Sequence, residues 1–450
     1  MSVDKLVDST TLDAGLTSIA NAIRRKSGGS KQLSFPDGFV DEIGDIAATY
    51  DKTPIDDVTF VDYDGMVLYT YSADEFLALT EMPANPSHTG LVAQGWNWTL
   101  AGAKEYVGEN GCLCIGQNYT TDDGCTRFYV TIPEYLLDCE INIGLYTSVK
   151  GGVTIDWGDG YTTITNGNAN AFMNYTHLYE TDGEYVIELQ CTDGTYILGY
   201  NGSNTSIFQQ NGYTKTYSTS RCVTKIELGD GCTQVYRQSF QGCCKLTAIS
   251  VPTTLTLFGG GGTNGSVFTT CVGLLCVVFP KESTIYGSNN FNECFSIKFI
   301  SYGENMTMPA TYNENNNLKG LRMLTTPDLT NAYQNFCSYA YALEKIAVPG
   351  TYTTCYTHFL RDNVLVRKIV VPASVTTIND YAFTNNYLKE FHLRPTTPPT
   401  IANTRGMPNV ATFNGIIYVP YSADHSILEA YKTATNWSTY TQYIQEEPQS

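Results

Sequence analysis

The spacing of apolar positions changes three times along the chain. Leu12, Leu16, Ile19, Ala20 and Ile23 recur at helical intervals, with Asp13 near the start and Arg24, Arg25 and Lys26 at the end. Charges so placed suit the helix dipole. SGGSKQ breaks the pattern, FPDGF turns, and Val40, Ile43 and Ile46 predict a second short helix. From Val58 the period falls to two. VTFVDYD, a turn at Gly65 and MVLYTY predict a hairpin. Ser72 followed by Glu75 frames a capping box for a short helix, SADEFLAL. CTRFYVTIPE, EINIGLYTSV, VTIDWGDGYTTI and NYTHLYETDGEYVIELQ then predict strands separated by turns.

Beyond Arg221 a longer period takes over. In KIVVPASVTTINDYAFTNNYLKEFHLRP, Ile369 to Val371 mark a short strand that Pro372 stops. Val375 and Ile378 point inward, Phe383 fills the turn, and Leu388, Phe391 and Leu393 restart the pattern up to Pro395. Pro349, Pro372 and Pro395 follow at equal intervals. Phe240, Cys243 and Leu246 occupy the same frame as Phe268, Cys271 and Leu274, and as Phe291 and Cys294. One such turn cannot bury its own apolar face and needs a copy on either side. Cys337 and Leu360 stand where Phe is expected, and Val366 stands for Leu. Region 301–332 is less regular. Residues 413–450 leave the period, with a strand ending at Pro420 and a helix carrying Ile427, Leu428, Ala430 and Tyr431. This reads as a cap over the open end of a solenoid.

Three resemblances accompany these patterns. The frame F-x-x-C-x-x-L-x-x-I-x-V-P resembles the BspA-like leucine-rich repeat. Asp156, Trp157, Gly158, Asp159 and Gly160, followed by His177, Tyr179, Gly183 and Tyr185, resemble the motif of a PKD domain. That likeness implies an immunoglobulin-like sandwich. LTSIANAIRRKSGGSKQLSFPDGFVDEIGDI resembles the N-terminal segment of structural proteins from phages and prophages of gut Firmicutes. The resulting expectation is a mainly β, multidomain protein. It comprises a helical docking or oligomerisation segment at 1–50, a β-rich linker domain at 51–111 and a PKD-like sandwich at 112–220. BspA-like repeats at 221–412 and a C-terminal cap at 413–450 complete it.

Composition narrows the chemistry. Only 16% of the 450 residues are charged and the net charge is -18, which disfavours a nucleic-acid groove or an anionic membrane as partner. No apolar run approaches the ~20 residues that span a bilayer. The N-terminus has no apolar core of a secretory signal. Nine of the 14 cysteines lie from Cys222 onward, several at repeat positions, and read as a buried thiol ladder rather than disulfides. Trp96 and Trp98 read as core aromatics, with a sugar platform as the sharper alternative. Asp156 and Asp159 lack the further oxygens of a calcium loop. No catalytic, metal or cofactor residues are assigned: the five histidines fall in no HExxH motif and no phosphate loop is present.

The phage resemblance implies a virion structural protein, a tail or head fibre on the virion surface. It would attach to other virion proteins through residues 1–50 and present the repeats to a host glycan or protein. Family expectation makes it a homo-oligomer, commonly a trimer. The alternatives are a bacterial BspA-like adhesin and a polysaccharide-degrading fibre.

Overall fold

The computed structural model describes residues 53–450 except 138, 201–205, 209–218, 261–264, 288, 309–317, 327–336, 338–339, 349, 385–386 and 449–450. The helix pair expected in 1–50 lies outside the described residues. Met1–Ile55 and Asp56–Ser450 are two compact units; the elements below belong to the second.

The unit opens with a small α/β layer. Strand β1 (Val58–Val61) pairs antiparallel with β2 (Val67–Tyr71), the expected hairpin. Helix α1 (Ala73–Leu77) starts at Ser72 with the reciprocal Ser72–Glu75 capping box in place. Strand β3 (Leu91–Trp96) leads to helix α2 (Leu100–Asn110), which the sequence pattern did not mark. Thr99 caps its first turn and Gly111, left-handed, ends it. Strand β4 (Leu113–Thr121) then runs parallel to β1 and antiparallel to β3. All nine of its residues are buried, because both of its faces are covered.

Seven strands follow: β5 (Thr126–Ile132), β6 (Ile141–Thr147), β7 (Val153–Asp156), β8 (Thr162–Ile164), β9 (Phe172–His177), β10 (Gly183–Cys191) and β11 (Tyr196–Leu198). They divide between two sheets, β5-β10-β7-β8 and β11-β6-β9, whose inner residues enter one apolar core. Neither sheet ends there. β12 (Val223–Glu227) adds antiparallel to β5, and β14 (Ala248–Ser250) adds parallel to β12. On the other side β13 (Cys232–Tyr236) pairs with β11, followed by β15 (Leu257–Gly260) and β17 (Thr284–Ile285). The two layers thus become the two strand faces of a solenoid without a break.

The solenoid continues through β16 (Cys276–Val278), β18 (Phe299–Ser301), β19 (Met323–Thr325) and β20 (Lys345–Ala347), all in parallel register. On the second strand face, β21 (Thr354–Cys355) pairs with β23 (Thr377–Ile378), and β23 with β25 (Thr400–Ile401). Another parallel sheet on the first face joins β22 (Lys368–Val371), β24 (Glu390–Leu393), β26 (Ile416–Val419) and β27 (Ile444–Glu446). The whole amounts to about eight coils.

One core runs through these coils. Phe240, Phe268, Phe291 and Phe383 are fully buried, as are Cys243, Cys271, Cys294, Leu246, Leu274 and Leu388. The Phe240–Phe268 and Phe268–Phe291 centroids lie 5.7 and 5.5 Å apart, each such contact worth about 0.5–1.5 kcal/mol beyond burial. The Phe240 amide donates to Val267 O, that of Phe268 to Asn290 O, and that of Leu360 to Ala382 O. Leu360 therefore holds the aromatic position of its coil. Left-handed residues bracket that position: Ser266 and Thr270 around Phe268, Asn289 and Glu293 around Phe291. The 14 cysteines are all free. Cys271 and Cys294 donate to the carbonyls of Phe240 and Phe268 one coil back. Past Pro420, Tyr431 and Trp437 are buried in the same core and donate to Pro395 O and Pro399 O.

Candidate binding surface

The outward residues of the first strand face change character along its length. Cys276, Val278, Phe299 and Met323 are apolar and buried; Lys368, Glu390 and Tyr418 at equivalent places are polar or half-exposed. The reason is β4, which lies across the earlier coils. Ser301 Oγ donates to Cys114 O at 3.0 Å, and the Cys114 amide donates to Thr325 Oγ1 at 3.0 Å. A Cβ on Gly116 would sit 2.5 Å from both methyls of Val278. Asn118 Nδ2 donates to Val251 O and Val278 O at 3.1 and 3.3 Å. Two residues of β4 span one coil. At ~3.4 Å per strand residue and ~4.8 Å between coils, β4 crosses the solenoid strands obliquely.

Polar anchors fix the contact. Asn97 is buried; its Nδ2 donates to Phe279 O, Ser301 O and Ser301 Oγ, and its Oδ1 accepts the Gly116 amide. Trp98 Nε1 donates to Tyr302 O at 2.8 Å and Tyr106 OH to Thr326 O at 2.7 Å. Lys345 Nζ meets Asp57 Oδ1 at 2.7 Å. Trp96 is buried against Phe60, its Nε1 on Pro83 O. Both tryptophans therefore face inward and offer no sugar platform.

The uncovered part of the face begins at Lys368. At its centre His392 Nδ1 lies 2.7 Å from Glu447 Oε1, and Nε2 lies 3.0 Å from Glu390 Oε2. The ring stacks on Tyr418 with centroids 4.7 Å apart. Arg394 NH1 reaches Glu447 at 3.3 Å. A recess marks the step where the cover ends, lined by Gly111 and Cys112 on one side and by Lys345, Ile346, Lys368 and Val370 on the other. It holds about 90 Å³, well short of the ~300–1,000 Å³ of a small-molecule site. Burial pushes the Cys112 thiol on its wall up to about 12, far from a reactive thiolate. Among the described residues no group of three or more His, Cys, Asp or Glu side chains is placed to hold a metal ion. No helix of the described residues is long and apolar enough to cross a membrane.

The motif residues of the strand layers lie together at the β7–β8 turn. Trp157 is buried and stacks on His177, centroids 5.0 Å apart. Asp156 Oδ1 accepts the Gly158 amide and Asp159 Oδ1 accepts that of Tyr161. Asp159 Oδ2 holds His177 Nε2 at 2.6 Å. Gly158 has φ +81 and its Cβ would strike Val186 O; Gly160 has φ +94. Tyr179 OH donates to Trp157 O, and its ring packs on Tyr185, which follows Gly183 at the start of β10. These groups satisfy one another and close a turn.

The period, the stacked aromatic frame and the paired strand faces agree with a family model of the BspA-type leucine-rich repeat, which matches residues 201–319 and 311–401 in six copies. This stretch is made of BspA-type leucine-rich repeats. No curated protein matches the chain. A leucine-rich repeat protein from Eubacterium ventriosum ATCC 27560 is 16% identical over 43% of this chain and 48% of its own, TM-score 0.31. One from Bacteroides ovatus ATCC 8483 is 15% identical over 50% and 67%, TM-score 0.30. A leucine rich cell surface protein from Faecalibacterium prausnitzii A2-165 is 14% identical over 54% and 94%, TM-score 0.24. The match spans about half the length of the first of these structures. The BspA-type repeats supply the covered portion of the strand face and the first two strands of the open portion, β22 and β24.

Proposed function

We propose that this protein is a non-enzymatic, surface-exposed adhesin of BspA-like type that binds a macromolecule on a host cell. One observation carries the reading: coil stacking sets equivalent side chains of successive repeats side by side on one continuous surface. Such a lattice suits extended ligands, and the open stretch from Lys368 to Glu447 gives it a polar face of both charge signs. A repeat fold by itself hosts many roles, and it is this surface that narrows them. In the same reading the layers from β5 to β11 are a PKD-like sandwich and residues 413–450 are the terminal cap.

Labelled full-length protein incubated with intact host-type epithelial cells tests the proposal. Saturable retention that falls when Glu390→Lys and Arg394→Glu are combined supports it; absence of retention on any cell surface rejects it. A second reading, attachment to a virion through residues 1–50, is favoured by the sequence of residues 16–46. Those residues lie outside the described structure. Immunolabelling of purified virions with antibody against residues 221–412 separates the two: an appendage that labels supports virion attachment, and label confined to bacterial cells supports the adhesin.

A further inference from the structure

One strip of the solenoid surface reverses the sign of a chain whose net charge is -18. The Arg322 amide donates to Lys298 O and the Glu344 amide to Arg322 O, so the residues just before each strand form a column. Arg367 and Lys389 continue it, the Lys389 amide on Arg367 O. Lys298, Arg367 and Lys389 thus line the surface of successive coils, while Arg322 lies buried against the one carboxylate of the column. Glu344 is engaged by Arg322 Nε at 2.7 Å. The Arg322 side chain is only 7% exposed, and its NH1 has no hydrogen-bond partner.

A second column runs three residues earlier. Gly320 and Ala342 donate to Phe295 O and Lys319 O, which places Phe295, Lys319 and Tyr341 in line. Phe295 is 40% exposed, Tyr341 47% and Leu365, one position further on the next coil, 44%. Lys319 Nζ sits 5.2 Å above the Phe295 ring. At ~4.8 Å per coil, the two aromatic rings are ~10 Å apart along the solenoid. That is comparable to one disaccharide unit of an extended pyranose chain. Exposed rings offer flat apolar platforms to the C–H faces of sugars, and the cations beside them offer charge-assisted hydrogen bonds to carboxylate or sulfate.

We propose that this strip binds an acidic polysaccharide, a chain of uronic-acid or sulfated pyranose units laid across the coils from Phe295 to Lys389. The inference rests on the adhesin reading, names a ligand class for it and adds a strip beside the open strand face. Charge complementarity selects an anionic chain over a neutral one. The alternation of ring and cation, with rings on every second coil, fits spaced sugar charges better than the dense phosphates of a nucleic acid, which the overall negative field opposes.

The test is titration of the full chain with an oligogalacturonate and with a heparin oligosaccharide, using cello-oligosaccharide and oligodeoxythymidine as comparators. We expect saturable binding to at least one acidic glycan that weakens with added salt. Arg367→Glu with Lys389→Glu, and separately Phe295→Ser with Tyr341→Ser, each weaken it by about tenfold or more. All four positions are exposed, with Arg367 NH1 resting on Val364 O and Val366 O, and circular dichroism checks that the variants fold. A uronate-only or sulfate-only response identifies the acidic group. Equal affinity for the neutral glycan, tighter binding of the oligonucleotide, or unchanged affinity in both double variants overturns the proposal. Cell retention without acidic-glycan binding defeats the strip while leaving the adhesin reading intact. Glycan binding without cell retention does the reverse.

Discussion

Gly116 gives the most direct test of how the α/β layer sits on the repeats. A methyl group there would lie 2.5 Å from both γ-carbons of Val278 and 3.0 Å from Ser301 Cβ. Carbon atoms rest at about 3.5–4.0 Å, so Gly116→Ala creates an overlap of roughly 1 Å against a strand that is itself buried. The layer must lift by about that much. The lift stretches the Asn97–Ser301 bonds of 3.0 and 3.2 Å and the Cys114–Thr325 bond of 3.0 Å beyond hydrogen-bonding reach. Overpacking of about 1–3 kcal/mol, with about 1 kcal/mol for each of the three lost bonds, sums to roughly 4–6 kcal/mol. Urea denaturation of the full chain, followed by tryptophan fluorescence with Trp98 as the interface reporter, measures it. Val278→Ala removes both obstructing methyls and alone costs about 2 kcal/mol. The double variant should then lose at least about 1 kcal/mol less than the sum of the single losses. Gly108→Ala, with nothing within 4 Å of its Cβ, is the control and should gain up to about 1 kcal/mol in its helix. A Gly116→Ala variant as stable as the parent, or strictly additive costs, refutes the packing argument.

Thr270 holds φ +64, a strained conformation for a β-branched residue that costs about 1–2 kcal/mol. Thr270→Gly relieves it against an unfolded-state entropy penalty of about 0.5–1 kcal/mol, so we expect a net gain of about 0.5–1 kcal/mol by chemical denaturation. Burial pushes the Cys114, Cys337 and Cys355 thiols up to about 12. Iodoacetamide at mildly alkaline pH should therefore label the partly exposed Cys139, Cys191 and Cys244 first, with the rest modified only after denaturation, as read by mass spectrometry. Burial alone would raise the Asp123 carboxyl, but the Cys125 amide and the Arg127 guanidinium outweigh it and hold it below 3.8. Its contribution to stability is present above the ordinary aspartate range and disappears as pH falls through the depressed value. Asp123→Asn should flatten the acid limb of a stability–pH profile without changing it near neutrality in shape.

The repeat frame was legible because it obeys one rule: an apolar plug recurs where each coil needs it. Phe240, Phe268, Phe291 and Phe383 could be read off in order, and even the substituted positions Cys337 and Leu360 are buried in frame. The hairpin at Val58 and the Ser72–Glu75 cap were equally local. Helix α2 was hidden because its sequence, LAGAKEYVGEN, has a weak apolar stripe; Thr99 and Gly111 were its signals. The covered strand face was illegible for another reason. Nothing adjacent in sequence says that Gly116 and Val278 meet. A trace of it does exist: Cys276, Phe299 and Met323 in one outward row give way to Lys345, Lys368 and Glu390, a switch that strand-by-strand alternation could have exposed. Left-handed corners at Thr270 and Glu293 escaped notice because such corners are sought at glycine and asparagine. Of the binding surface, the aromatic and basic columns needed the coil register before Phe295, Lys319 and Tyr341 could be lined up.

The chain enters this unit at Asp56 and Asp57, which are fastened to Lys345 partway along the coils. A tether carried by the preceding residues would hence pull on the flank of the stack, between the strand layers at one extremity and the last coils at the other. Tension arriving there runs sideways into hydrogen bonds such as Asn97–Ser301 and Trp98–Tyr302, and the coils themselves would swing broadside to the direction of pull.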